Sequence, residues 1–201
     1  MVGRRAEPAP GASRRPTAHE SKDRALSPAE AAQDRWLSLG YRALVVVLVA
    51  IVWLAPTLPT QDGPSHVYGL SVVADLTVGA GTWSEHFELL PAPAPNLGFL
   101  AIGLPLARVF GSVSGAWMAE RAVVTLYLLA VALGTPYLLR SFGRRPLPAA
   151  FLGLPLALNY PLFLGFYSCV LGCAFFLICL GTLWRLRDRH VVARSLAATV
   201  L

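Results

Sequence analysis

The fold is decided by an uncharged apolar stretch at residues 43–59, which reads ALVVVLVAIVWLAPTLP. Because an α-helix rises about 1.5 Å per residue, this stretch and the apolar residues just before it can cross about 30 Å of hydrocarbon. The whole 201-residue chain shares this character, with 55% hydrophobic and only 14% charged residues. Soluble domains carry about 25% charged residues. The composition therefore predicts an all-α membrane protein and excludes both an ordinary soluble enzyme and a disordered chain.

Further apolar stretches predict a polytopic transmembrane helix bundle over residues 42–201. A shorter stretch at 96–110 contains Pro105, and we expect an interfacial helix there, with a short fifth span as the alternative. Pro161 should end the helix that precedes it. Another apolar run opens at 195–201, which suggests a further span and a chain that is the N-terminal part of a larger membrane protein. The full spans are predicted at about 42–59, 116–139, 147–161 and 164–184.

The distribution of basic residues predicts the topology. The net charge is +6, and eight of the 17 Lys and Arg residues precede residue 43, whereas none lies at 43–107. Lys and Arg are retained on the cytoplasmic side of membranes, so the N-terminus is predicted in the cytoplasm. The loop at 60–95, which has acids but no Lys or Arg, should face the outside of the cell (inner or plasma) membrane. The expected partner is the lipid bilayer and not nucleic acid, which would require a continuous basic face.

The segment before the first span is expected to be a disordered basic tail. Residues 1–41 mix Arg, Pro, Ala, Ser and Glu without a hydrophobic period, which is typical of disorder in a cytoplasmic tail. Within it, Ser27, Pro28 and Glu30 form a plausible helix start, with Ser27 as the N-cap. A short cytoplasmic helix would follow. In the outer loop, residues 65–78 predict a short juxtamembrane helix.

Asp62 is the first candidate for chemistry, because it stands where the first span leaves the membrane. An Asp before a helix start commonly caps free backbone N–H groups, and this is the more frequent role. His66 comes four residues later, so on a helical path its ring would return toward Asp62. The pair could then bind a divalent metal or act as base and partner.

Other polar residues on the predicted outer side are weaker candidates. Glu85 and Glu88 could supply a second acid, although a solvated loop tip is the more common explanation for such residues. Asn159 and Tyr160 stand at the predicted turn of the last hairpin and could line an outer cavity together with Tyr68, unless they only end a helix. Two charged residues at the start of the second span, Glu120 and Arg121, are expected to pair with lipid head groups or loop residues, with a buried role as the alternative.

The layout resembles the start of an integral-membrane glycosyltransferase of the GT-C type, or related uncharacterised bacterial polytopic membrane proteins. Three stretches carry the resemblance: QDGPSHVY at 61–68, PNLG at 95–98 and NYPLFLGFYS at 159–168. The resemblance implies a polyprenyl-phosphate-linked sugar as donor and Asp62 as the base or as a residue that helps to bind a divalent metal. Gly63 stands where such enzymes carry a neighbouring acid.

The resemblance implies inverting attack of an acceptor hydroxyl on the sugar, with the lipid phosphate leaving on the outer side. Much of the site would lie beyond residue 201, so we expect these residues alone to be inactive. The alternative is a non-catalytic polytopic protein, either a transporter component or an envelope-assembly partner. In that case Asp62 would only cap a helix.

Overall fold

A computed structural model describes residues 27–78, 82–90, 97–143 and 146–187, and every regular element in these ranges is a helix. The all-α class is therefore confirmed. In chain order the elements are α1 (Pro28–Leu54), α2 (Gly63–Val78), a short 3-10 helix (Thr82–Glu85), α3 (Leu97–Phe110), α4 (Ser112–Ser141), α5 (Pro146–Ala157), α6 (Tyr160–Leu164) and α7 (Tyr167–Leu186).

Four segments are long and apolar enough to cross a membrane. They are α1, α4, the combined α5–α6 segment Pro146–Leu164, and α7. By length and composition the chain is therefore a multi-pass membrane protein. The side of the membrane on which each end lies stays a prediction.

Helix α1 begins well before the apolar stretch. Ser27 Oγ accepts from the Glu30 backbone N–H at 3.3 Å, and Glu30 Oε2 accepts from the Ser27 N–H at 2.9 Å. This reciprocal capping box, with Pro28 in the first turn, confirms the predicted helix start. The expectation of disorder through residue 41 is wrong from residue 27 onward, because the capped helix runs without a break into the span. Residues 1–26 lie outside the described residues.

The central element is α4, a 30-residue helix that packs against α1, α2, α3, α5 and α7. Trp53 Nε1 donates to Thr125 Oγ1 at 3.0 Å, and the Tyr41 hydroxyl donates to the Ala132 carbonyl at 2.8 Å. Since the later residue of α1 meets the earlier residue of α4, the two helices run antiparallel. The end of α1 therefore lies beside the first half of α4.

Helix α3 continues through Pro105 instead of breaking there. Its 14 residues span about 21 Å, which is less than the hydrocarbon thickness. Gly103 lies against Ala119, and Ala107 lies against Gly115, so α3 packs antiparallel to the first half of α4. Helices α2 and α3 thus gather at the end of the bundle where α1 ends, as a juxtamembrane arrangement requires. Whether 96–110 crosses a membrane stays open.

The last hairpin turns later than predicted. Helix α5 ends at Ala157, in keeping with the boundary expected before Pro161. Asn159 then caps the short helix α6 by accepting from the Leu162 N–H at 3.0 Å, with Pro161 in its first turn, where no N–H is needed. The chain reverses at Gly165, whose φ of +86° suits glycine. The span predicted at 147–161 therefore extends to residue 164, and the one predicted from 164 begins at 167. Residues 195–201 lie outside the described ranges.

Candidate functional site

The turn that leaves α1 is held by an arginine from α4. Arg121 Nη2 donates to the carbonyls of Ala55 and Pro56, each at 3.0 Å. The last carbonyls of a helix have no partner within the helix, and a cation near them is favourable. Arg121 therefore satisfies the end of α1 and fixes the start of the turn. The partners predicted for Arg121 were lipid head groups or loop residues, whereas both carbonyls belong to residues within the span predicted at 42–59.

The next part of the turn is joined to the end of α6. The backbone N–H groups of Gln61 and Asp62 donate to the last two carbonyls of α6 at 2.8 and 3.2 Å. A Cβ placed on Gly165 would lie only 3.2 Å from Asp62 Cβ, so the α6–α7 turn packs directly against Asp62. The backbone of Asp62 is thus fixed by residues about 100 positions later in the sequence.

The carboxylate of Asp62 has no partner among the residues that the structure describes. The Asp62 carbonyl accepts from the His66 N–H at 3.0 Å, which is the first hydrogen bond of α2, so Asp62 does occupy the N-cap position. Its side chain nevertheless caps no backbone N–H there. The more frequent role of Asp at such a position is therefore not observed, and a partly buried carboxylate is left with both oxygens available.

A buried polar cluster lies next to Asp62. The Glu120 side chain is only 1% exposed, and its Oε1 accepts hydrogen bonds from the Tyr167 hydroxyl and, at 3.2 Å, from Thr60 Oγ1. The two hydroxyls are 3.0 Å apart. A buried carboxylate is costly unless such donors satisfy it. We call Thr60, Glu120 and Tyr167 the Glu120 cluster.

Gly63 connects this cluster to Asp62. A Cβ at Gly63 would overlap Thr60 Oγ1 and Glu120 Oε1, and it would lie 2.9 Å from the Tyr167 hydroxyl. Only a residue without a side chain fits this close approach. The peptide that follows Asp62 therefore lies directly on the Glu120 cluster.

His66 does not form a hydrogen bond with Asp62. Its Nε2 is 3.1 Å from the Gly165 carbonyl, which can only accept, so Nε2 carries the hydrogen. The ring lies 5.6 Å from Phe99 and 5.5 Å from Tyr167, and those two rings stack on each other. The predicted Asp62–His66 pair is thus replaced by a His66 that fastens α2 to the α6–α7 turn.

The acids of the predicted loop lie away from this arrangement. Tyr68 is 48% exposed and packs edge-on against Trp83, with ring centroids 5.4 Å apart. Glu85 and Glu88 follow as exposed residues, and no hydrogen bond or ion pair within the described ranges joins them to Asp62. A role of Glu85 or Glu88 as the second acid stays a prediction. The carboxylate that lies against the backbone next to Asp62 is that of Glu120.

Asn159 and Tyr160 have separate positions. Asn159 caps α6, and its Nδ2 donates to the Tyr127 hydroxyl at 3.0 Å. Tyr127 in turn donates to the Ala157 carbonyl at 2.8 Å. Tyr160 is 73% exposed. Asn159 thus has a structural role at a helix terminus, in keeping with the alternative explanation. Its connection to Asp62 is indirect and runs through α6.

The residues that sequence reasoning did not assign to the site are Thr60, Glu120 and Tyr167. Glu120 carried a usable signal, because an ionisable residue within an apolar span is costly and is commonly functional. Lipid head groups or loop residues were its expected partners, with a buried role as the alternative, and the structure has Glu120 buried and bonded to Thr60 of the predicted outer loop. Thr60 and Tyr167 carry no comparable signal, since their partners lie 60 and 47 residues from them in the sequence.

One polar atom beside the cluster is unsatisfied. Ser168 Oγ is the buried side-chain oxygen or nitrogen that lacks a hydrogen-bond partner among the described residues. It faces α3, 3.8 Å from a Cβ built on Gly98. Buried polar atoms are nearly always paired, so a ligand hydroxyl or a water would be favourable there.

The residues at this site do not fit a protein-bound divalent metal. Within the described ranges, no group of three or more His, Cys, Asp or Glu side chains converges. Of the two predicted ligands, His66 is engaged with a carbonyl, which leaves the single carboxylate of Asp62. Hard divalent cations require several oxygen ligands.

Comparison with known proteins returns no match: no family model, no curated protein and no solved structure is similar to the chain.

Proposed function

We propose that the protein is a membrane glycosyltransferase that takes a sugar from a polyprenyl-phosphate-linked donor, with Asp62 as the catalytic base. The observation that carries this proposal is the Asp62 carboxylate at the exit of α1, which has no partner among the described residues. A carboxylate that neither caps a helix nor pairs with a described cation is available to accept a proton from a substrate hydroxyl.

The reaction that fits one free carboxylate is a single inverting displacement. The oxygen of an acceptor hydroxyl attacks the anomeric carbon of the sugar as its proton passes to Asp62. The bond from that carbon to the phosphate oxygen breaks, and the lipid phosphate leaves with the bonding electrons. A base in this role must come within hydrogen-bond distance of the acceptor hydroxyl.

The surroundings of Asp62 are suited to positioning a base. Its N–H is bonded to α6, and the next residue, Gly63, packs on the Glu120 cluster. Small displacements of a catalytic group lower rates strongly, so such anchoring has a catalytic use. Glu120 and Tyr167 act in this proposal as positioning residues.

The place of Asp62 along the chain also suits a lipid-linked donor. A polyprenyl phosphate keeps its hydrocarbon tail in the bilayer and its phosphate at the interface. Asp62 lies eight residues after the last residue of α1, where the chain leaves the predicted span. A base at that level would meet the sugar next to the phosphate.

The test is substitution of Asp62 in the protein at its natural length. Membrane vesicles would be supplied with a panel of polyprenyl-phosphate [14C]hexoses, and label transferred to membrane acceptors would be counted. We expect Asp62→Asn to lower the transfer rate by about 10²–10⁴-fold, the usual contribution of a general base. Asp75→Asn is the matched control, because it removes a carboxylate from the same helix α2 about 20 Å along its axis.

Two results would count against the proposal. Transfer by Asp62→Asn at the wild-type rate, with wild-type thermal stability, would favour a non-catalytic transporter component or assembly partner. Absence of transfer by the wild-type protein from every donor in the panel would reject the donor class.

A further inference from the structure

A second site lies between α1, α4 and the start of α5. It is a half-open groove with a volume of about 440 Å³, which is within the range of small-molecule sites. Two arginines, Arg42 and Arg140, line it together with an apolar wall. The wall residues that matter here are Val45, Val46, Leu129 and Leu133.

The groove is far from Asp62. Arg140 follows Glu120 by twenty residues in the same helix, which is about 30 Å along its axis and about the thickness of the hydrocarbon core. The groove and the Asp62 site therefore lie toward opposite ends of the bundle, and a ligand in one does not contact the other.

The floor of the groove is preformed. The Tyr41 hydroxyl is buried and donates to the Ala132 carbonyl at 2.8 Å, which joins α1 to α4. The Tyr41 ring also packs edge-on against Phe151 of α5, with centroids 5.3 Å apart. Both lining helices are thus fixed to each other without any contribution from a ligand.

No residue that the structure describes balances the charge of the groove. Arg42 and Arg140 are exposed, and neither has a hydrogen bond or an ion pair with any described residue. The described residues that line the groove include no carboxylate. Two guanidinium groups that have no partner among the described residues favour a phosphate, which arginine binds in a bidentate manner.

Both arginines lie at the same end of the apolar wall. Along α1, Arg42 comes one turn before Val45 and Val46, and along the antiparallel α4, Arg140 comes about two turns after Leu133. The wall is accessible from the surface of the protein, since Val46 and Leu133 are 65% and 68% exposed. A ligand that matches this layout has a phosphate at one end and a hydrocarbon chain that continues into the bilayer.

We propose that this groove binds an anionic glycerophospholipid from the surrounding membrane. Its phosphate contacts Arg42 and Arg140, and one acyl chain lies along the wall formed by α1 and α4. Basic pockets between transmembrane helices are suited to such head groups.

The test measures lipid retention on the purified protein of natural length. The protein would be loaded in micelles with phosphatidylglycerol and phosphatidylcholine in equal amounts, and bound lipid would be counted by native mass spectrometry. We expect phosphatidylglycerol to be retained in preference. Arg42→Gln and Arg140→Gln should each weaken its retention about tenfold, the effect of losing one charged hydrogen-bond donor. Arg108→Gln, which removes an exposed charge from α3, should leave retention unchanged.

A second variant tests the apolar wall without a change of charge. Val46→Trp fills the groove at an exposed position and should also reduce phosphatidylglycerol retention, at unchanged melting temperature and elution volume. Equal retention of the two lipids, or equal losses for Arg108→Gln and Arg140→Gln, would overturn the proposal. Displacement of the lipid by millimolar inorganic phosphate would also overturn it, because the site would then recognise a free anion.

Discussion

Two consecutive residues of α4 fasten the turn that carries Asp62, and they do so with opposite chemistry. Arg121 donates to the carbonyls at the end of α1, and Glu120 accepts from hydroxyls on the turn and on α7. Neighbouring residues on a helix point in directions about 100° apart, so Glu120 and Arg121 contact different parts of the turn. Every one of these contacts is polar and lies within a largely apolar bundle. Their loss would leave unpaired groups, which is why single substitutions here should have large effects.

Gly63 gives the sharpest residue-scale prediction. Gly63→Ala introduces a Cβ that overlaps the Glu120 cluster, and overpacking of this kind costs about 1–3 kcal/mol of unfolding free energy. Gly69→Ala is the control in the same helix, because nothing lies within 4 Å of a Cβ there. Since alanine is favoured over glycine within helices, the control should be neutral or stabilising by about 0.5–1 kcal/mol. Reversible unfolding in mixed micelles measures both, and equal stability of the two variants would refute the packing argument.

At the scale of whole elements, the helices that the sequence predicts well are those with local signals. The start of α1 follows from Ser27, Pro28 and Glu30, whose capping interactions are all within one turn. Residues 31–41 lack a hydrophobic period, but the helix predicted to follow the cap does continue through them into the span, in place of the disorder expected up to residue 41. The reversal at Gly165 was also missed, since Asn159 and Pro161 give an equally strong turn signal earlier in the chain.

The end of α1 supports an element-scale prediction. Arg121→Gln removes the guanidinium that satisfies the carbonyls of Ala55 and Pro56, so the last turn of α1 should open more often. We expect amide exchange at residues 52–55, the last hydrogen-bonded amides of α1, to become about tenfold faster, from the loss of charged hydrogen bonds at the helix end. Mass-spectrometric hydrogen exchange on protein in lipid nanodiscs would detect this. Arg108→Gln serves as the control, and exchange that is equally fast in both variants would contradict the capping role.

At the scale of the molecule, composition and span length were sufficient to predict a multi-pass helical protein, because hydropathy is a local property of each segment. The candidate site was only half predictable. Asp62 could be identified from its place after the first span, whereas the Glu120 cluster joins the α1–α2 turn, α4 and α7, which are distant in sequence. Such contacts depend on how α4 and α7 pack, and no spacing within one segment encodes that.

The topology of the bundle is the last prediction, and it also tests the basis of the proposed function. Gln33 is exposed near the start of α1, about 30 Å along the helix axis from its end, and Glu88 is exposed beyond α2. In a background with Cys169, Cys173 and Cys179 replaced by alanine, single cysteines at these two positions would be exposed to a membrane-impermeant maleimide. We expect the Glu88→Cys protein to be labelled in intact cells and the Gln33→Cys protein only after permeabilisation, because basic residues are retained in the cytoplasm. Labelling of Gln33→Cys in intact cells would show that the bundle has the opposite orientation in the membrane. Asp62 would then face the cytoplasm, and transfer from a donor at the outer face would be impossible even if the carboxylate is free.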